Sequence, residues 1–358
     1  MTFILQRRLS LTAALLLIGF VLSACGGAAA TGGSVTPTQS PHMTTVTVCE
    51  AGTSVAFFTE YVAQQEGYFK AQGLNVPTPI QVSTGAKAAA GIESGNCTIA
   101  NGVITDVFGL VKIDKSVRVI GDLLNAYAVD IVVSKQFLQQ SHLTDSSPLS
   151  AKIMALKGKK IGITGPHTGT QALLTYLFKL EGMNASTDAT QVSLGANSIA
   201  ALTALQTGRV DALSFFAPFG QVAVAKGVGD ILISPIRGDV PQLVGDVQGI
   251  FYTKQSVINT QPQVVAGYIR AIARAETFIH ANPTQTEALL TKYLGLASNI
   301  TSAIYQANAP VIATSPQISQ AAYTIAGQFH LSAGLITQVP PFSQIVATST
   351  ITSALAQS

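Results

Sequence analysis

Residues Gly158 to Gln171 read GKKIGITGPHTGTQ, a β-branched run that breaks at Gly165-Pro166 and resumes on small hydroxyl residues. A strand that ends this way ahead of a helix leaves first-turn N–H groups unpaired beside the positive end of the helix dipole, a seat for an anion or a polar group. It is not a nucleotide P-loop, because Gly165 is followed by Gly169, Thr170 and Gln171 with no Lys to reach outer phosphates. The dinucleotide G-x-G-x-x-G fingerprint is absent too. Two readings remain: a ligand seat in which Thr168 and Thr170 offer hydroxyls and first-turn N–H groups, or a turn in which one of them caps the helix.

A second stretch, Gly52-Thr53-Ser54-Val55-Ala56, has the strand-to-helix position of a nucleophile elbow, but the motif's last Gly is Ala. A triad also needs an acid and a His. Of His42, His142, His167, His280 and His330, only His167 lies in a comparable turn. No H-E-x-x-H, Cys/His zinc spacing or carboxylate pair occurs. Ser54 is therefore read as a binding residue, the chain as not an enzyme, and neither a metal nor a cofactor is expected.

These turns belong to a repeated layout. QVSTGAKAAAGIESGNCTIANG from Gln81 and QVSLGANSIAALTALQTGRVDALSF from Gln191 both run strand, Gly-Ala turn, Ala-rich helix, Gly, strand. Upstream of each lies a strand, a Gly/Thr turn and an amphipathic helix ending at a glycine, Gly67 or Gly182. Phe58, Val62 and Phe69, and Leu173, Leu177 and Leu180, recur at helical spacing. Two copies about 110 residues apart are too few and too long for a solenoid. They predict two α/β lobes with parallel sheets, whose ligands bind beyond the carboxyl ends of the strands.

Composition places the chain among globular proteins: 47% hydrophobic and only 10% charged. Arg7 and Arg8 precede an apolar run from Leu9 to Leu22 that ends at Ser23-Ala24-Cys25, the form of a signal peptide over 1–24 with a lipobox cysteine. Residues 25–43, rich in Gly, Ala, Thr and Pro, read as a flexible tether. Removing 1–24 takes away two Arg and no acid, so the net charge of +3 falls to +1, and no Lys/Arg cluster points to nucleic acid. No later run approaches the ~18 apolar residues of a membrane span. The expected mature protein is a monomer held by lipid on Cys25 at the outer face of the cell membrane.

EYVAQQEGYFKAQGL, LKGKKIGITGPHTGT, TGRVDALSFFAPF and VVAGYIRAIARAETFIHANPTQTEALLTKYL resemble, in order and spacing, the solute-binding proteins of nitrate/sulfonate/taurine ABC importers, whose relatives bind thiamine-precursor pyrimidines. The resemblance implies a type II periplasmic-binding-protein fold: two doubly wound α/β lobes, 44–125 plus 247–358 and 126–246, with a ligand cleft between them. It also implies an ABC permease and its ATPase subunits as partners. Where many such proteins carry Trp-Glu-Pro, this chain has Phe216-Ala217-Pro218 and no Trp anywhere, so that acidic contact to an amine is missing.

Position after strands and before helices predicts the cleft residues. Gly52, Thr53, Ser54 and Phe57 come from the first turn, Ser83, Thr84 and Gly85 from the second, and Asn101 follows the third strand. The other lobe supplies His167, Thr168, Gly169 and Thr170, then Asn197, Phe215 and Phe216. This list is neutral, with Lys87 and Glu50 the nearby charges. It suits a small anion such as an alkanesulfonate, taurine or nitrate held by N–H and hydroxyl donors, or a pyrimidine or other aromatic heterocycle stacked on Phe rings. Cys49 and Cys97 are expected to stay unpaired: about four residues of offset on neighbouring parallel strands is roughly 13 Å, and a disulfide needs Cα atoms within about 7 Å.

Overall fold

The computed structural model of the chain describes residues 43–82 and 84–357. Cys25, the expected signal peptide, all of the tether before Met43, and Ser83 lie outside those residues.

The chain builds one sheet, crosses to build a second, and returns. The first stage is β1 (Val48–Glu50), β2 (Ile80–Gln81), β3 (Ile99–Val103) and β4 (Val117–Ala126). Only Tyr127 and Ala128 separate β4 from β5 (Val129–Ser134), which starts the second sheet. There follow β6 (Lys160–Ile163), β7 (Thr190–Ser193), β8 (Ala212–Phe216) and β9 (Gly229–Ile233). The chain then returns to the first sheet as β10 (Val244–Lys254). The strand orders are β2-β1-β3-β10-β4 and β9-β5-β8-β6-β7. β4, β5 and β10 are buried almost throughout, as apolar runs covered on both faces must be.

Parallel sheets are only partly what forms. β1, β2 and β3 pair in parallel, as do β6, β7 and β8, but β10 runs antiparallel to β3 and β4, and β5 antiparallel to β8 and β9. In each sheet the reversed strand is the one that arrives from the other sheet. It enters from the crossover side, opposite to the direction set by the local strand–helix–strand units.

Helices cover both sheets. α1 (Phe58–Gln65) continues a short 3-10 turn over Val55–Phe57, and α2 (Gly85–Glu93) and α3 (Ile104–Leu110) follow β2 and β3. α4 (Gly169–Leu180) follows β6 and α5 (Ser198–Gln206) follows β7. α6 (Pro262–Ala281) starts on a proline, whose missing N–H is no loss in a first turn. The last to bear on the site is α7 (Gln320–Ser332). The predicted stripes are buried at Phe58, Val62, Phe69, Leu173 and Leu177, whereas Leu180, in the last turn of α4, is 41% exposed. α7 serves both cores: Tyr323 and Ala326 pack with the first sheet, and Phe329 with the second. Among the described residues no helix is long and apolar enough to cross a membrane.

The expectation of free cysteines is corrected: Cys49 and Cys97 form a disulfide, with Cα atoms 5.8 Å apart. The strand rise misled because Cys97 is not in the strand. β3 begins at Ile99, and the chain before it folds back from α2 through a Cys97 N–H to Gly91 carbonyl bond of 3.0 Å. A compact return does not advance ~3.3 Å per residue as extended backbone does. Gly91 of α2 leaves the room required, since a Cβ there would stand 2.7 Å from the Cys49 sulfur and 3.1 Å from that of Cys97.

Candidate functional site

A cavity of about 60 Å³ lies between the ends of the two sheets. At the ~30 Å³ that a water takes in the liquid, this is the room of roughly two waters. The first sheet's turns supply Ala51, Ser54, Ala56, Phe57, Thr84, Gly85, Val103 and Asp106, and the second's supply Thr164, Thr168, Gly169, Ala196 and Phe216. Seven of the expected residues are thus brought together: Ser54, Phe57, Thr84, Gly85, Thr168, Gly169 and Phe216.

Ser54 caps the first turn. Its Oγ accepts from the Ala56 N–H at 3.3 Å and donates to the Ala217 carbonyl of the second sheet's last turn at 3.0 Å. Behind it the Tyr293 hydroxyl lies 3.1 Å from the Ser54 carbonyl and 3.4 Å from Glu50, which also takes bonds from Gln81 and Asn101. Burial pushes the Glu50 carboxyl up to about 7 against the lowering effect of those bonds. A serine whose proton sits on a peptide carbonyl has no base to activate it.

The opposite turn is built from three threonines. Thr168 Oγ1 donates to the Gly165 carbonyl at 2.7 Å, and Thr164 Oγ1 donates to Thr168 Oγ1 at 3.0 Å. Thr170 Oγ1 accepts from the Thr164 N–H at 3.0 Å and lies 2.9 and 2.8 Å from the hydroxyls of Thr164 and Thr168. Thr168 stands at the N-cap position of α4 yet makes no side-chain cap bond. Thr170 is fully buried behind Thr164 and Thr168.

The remaining expected residues sit elsewhere. Gly52, at φ 97°, and the exposed Thr53 form the bend before Ser54. His167 is exposed, in left-handed backbone at φ 57°, with its N–H on the Gln171 side chain. Asn197 is an exposed cap of α5, accepting from the Ala200 N–H at 3.0 Å. Phe215 is buried against Phe219, ring centroids 5.0 Å apart. Asn101 does not follow the strand; it lies within β3, fully buried, and its amide meets Glu50 and Tyr268.

That displacement hid Asp106. Asn101-Gly102 looks like a turn, but β3 runs on to Val103, so the next helix starts later and its first turn carries Asp106 to the cavity wall. Its Oδ2 accepts the Val103 N–H at 3.0 Å. Burial raises its carboxyl to about 6, against the lowering effect of that bond. Gly85 makes way for it, because any Cβ there would run into the carboxyl group. The lining is therefore not neutral: it holds one acid, Asp106, and no Lys, Arg or His. Among the described residues no group of three or more His, Cys, Asp or Glu is placed to hold a metal ion.

The NMT1-like family pattern matches residues 55–294 of the chain. Compared by sequence with curated proteins, the chain matches none. Among solved structures it is similar to a protein of Bordetella bronchiseptica RB50, with TM-score 0.74 and 21% identity over 88% of this chain and 98% of that one. It is also similar to the alkanesulfonate-binding protein SsuA of Xanthomonas axonopodis pv. citri, bound to MOPS, with TM-score 0.65 and 14% identity over 87% and 97%. The periplasmic nitrate-binding protein NrtA of Synechocystis PCC 6803 gives TM-score 0.67 and 12% identity over 88% and 89%. The shared architecture is the periplasmic-binding-protein fold.

Proposed function

This chain belongs to the NMT1-like family, and on that premise we propose that it is the extracytoplasmic solute-binding component of an ABC importer. The observation that carries the proposal is the cavity at the meeting of two sheets, lined from both by turns that join strand ends to helix starts. In two-sheet α/β proteins that is where ligands bind. The lobes are 44–125 with 247–358, and 126–246, and they part and close about the two crossovers. The protein is exported and held by lipid on Cys25 at the outer face of the cell membrane. There it acts as a monomer and hands its solute to the permease.

The solute is a small anion such as an alkanesulfonate, taurine or nitrate. The similarity to sulfonate- and nitrate-binding proteins supports this class, as do the first-turn N–H groups of α2 and α4 at the cavity. A pyrimidine or other aromatic heterocycle is the second reading, favoured by Phe57 and Phe216 in the lining. A thermal-shift screen of alkanesulfonates, taurine, nitrate and pyrimidines tests both, because a ligand of the folded state raises its melting temperature by mass action. At least one class should shift melting in proportion to the logarithm of its concentration. Silence from every class would defeat the proposal.

A further inference from the structure

We infer that Asp106 sets the specificity of the cavity by requiring the solute to present a hydrogen-bond donor there, an ammonium, amino or ring N–H group. The inference rests on the cavity being the solute site.

A count of protons carries it. Four hydroxyl side chains line the cavity, and three have their single hydrogen committed: Ser54 to the Ala217 carbonyl, Thr168 to the Gly165 carbonyl and Thr164 to Thr168. Thr84, which accepts from the Lys87 N–H at 3.3 Å, keeps its own. Toward a solute the side chains therefore offer mostly acceptors, and the strongest acceptor is Asp106. Its Oδ2 is taken by the Val103 N–H, which leaves Oδ1 available. In the first turn the carboxyl gains from the helix dipole as well as from its bond to the Val103 N–H. Set into the space of a missing Gly85 side chain, it also places its charge in the cavity wall, where a solute meets it.

A bare oxyanion beside an ionised carboxyl in a poorly solvated cavity is repelled unless the carboxyl takes up a proton. A donor on the solute converts that repulsion into a charge-assisted hydrogen bond. Among sulfonates the inference selects the amine-bearing ones, and among rings those with an amino or N–H group.

Two matched pairs test it: taurine against ethanesulfonate, and 4-aminopyrimidine against pyrimidine. Calorimetric titration at pH 8 should show the amine-bearing member of at least one pair binding tenfold or more tightly than its partner. Asp106→Asn keeps the bond to Val103, and should melt near the wild type and lose the preference. In the wild type the preference should be full at pH 8 and shrink as pH falls through about 6, where Asp106 gains its proton. That arm needs no variant to fold. Tyr127 and Tyr252 are held neutral by burial, an effect the Asp106 charge adds to, and His330, bonded to neighbouring Thr105, is pushed down to about 4. Glu50 does titrate in the window, and repeating the pH series in Glu50→Gln removes its share. Equal or reversed affinities within a binding pair would overturn the inference and leave the solute-binding reading standing. Failure of all four probes to bind would remove the inference together with the solute classes it rests on.

Discussion

The two polar turns that meet across the cavity have one layout in sequence and two ways of placing their hydroxyl protons. The Ser54 turn reaches outward, with its proton on the Ala217 carbonyl of the second sheet and a disulfide stapling the strand just before it. The Thr164 to Thr170 turn closes on itself, and its hydroxyls are satisfied by one another and by their own loop. A repeated strand–turn–helix frame thus sets where backbone groups stand, while single side chains decide whether a turn binds its own loop or the facing half. The first turn makes a contact that parting of the halves must break. The second is a prebuilt wall.

The contrast breaks most visibly at the disulfide. Replacing Cys49 and Cys97 together by Ser frees a loop with a sequence separation of 48, and chain entropy puts the loss near 4 kcal/mol. Hydrogen exchange should accelerate in β1 and β3 and change little in β6 and β8. Equal acceleration in both sheets would mean the staple is not local. Next comes Thr170→Val, which keeps the shape but leaves the buried Thr164 N–H without its acceptor. Melting of the solute-free protein should register a loss of about 2 kcal/mol, with solute affinity nearly unchanged. Unchanged melting with a tenfold weaker affinity would put Thr170 on the solute instead. The smallest effect belongs to Ser54→Ala. One neutral hydrogen bond between the halves is about 1 kcal/mol, so the open form should gain roughly fivefold in population, read by small-angle scattering. Active-site serine probes should leave the wild-type protein unlabelled, and stoichiometric labelling at Ser54 would reverse its assignment.

Much of the frame could be read in advance because it follows from local rules. Gly67 and Gly182 do take left-handed backbone just after helices, at φ 74° and 65°, and the Gly/Thr turns do meet at one cavity. What escaped depends on register and on pairings distant in sequence. Asn101 reads as a turn residue until Glu50 and Tyr268, 51 and 167 positions away, hold it inside the sheet. The strand ends at Val103, three residues beyond the Ala100 that a turn at Asn101 implies, and that shift brings Asp106 to the cavity. The disulfide depends on the same kind of feature: the chain returns through Gly91 and Cys97 as a compact turn, which strand rise does not register. The antiparallel setting of β5 and β10 follows from crossing twice between sheets, which hydrophobic periodicity does not register.

The place of β10 bears on how the molecule is assembled as its chain is delivered. β10 is wedged between β3 and β4, so that β4 joins the rest of its sheet only through it, and it ends at Lys254. The first-made segment therefore waits with an incomplete sheet. Residues 129–233 already hold all five strands of the other sheet, so the middle of the polypeptide can close before its beginning does. A chain of this design exposes its early strands longest as it is made, and chaperoning has most to do at its N-terminal third.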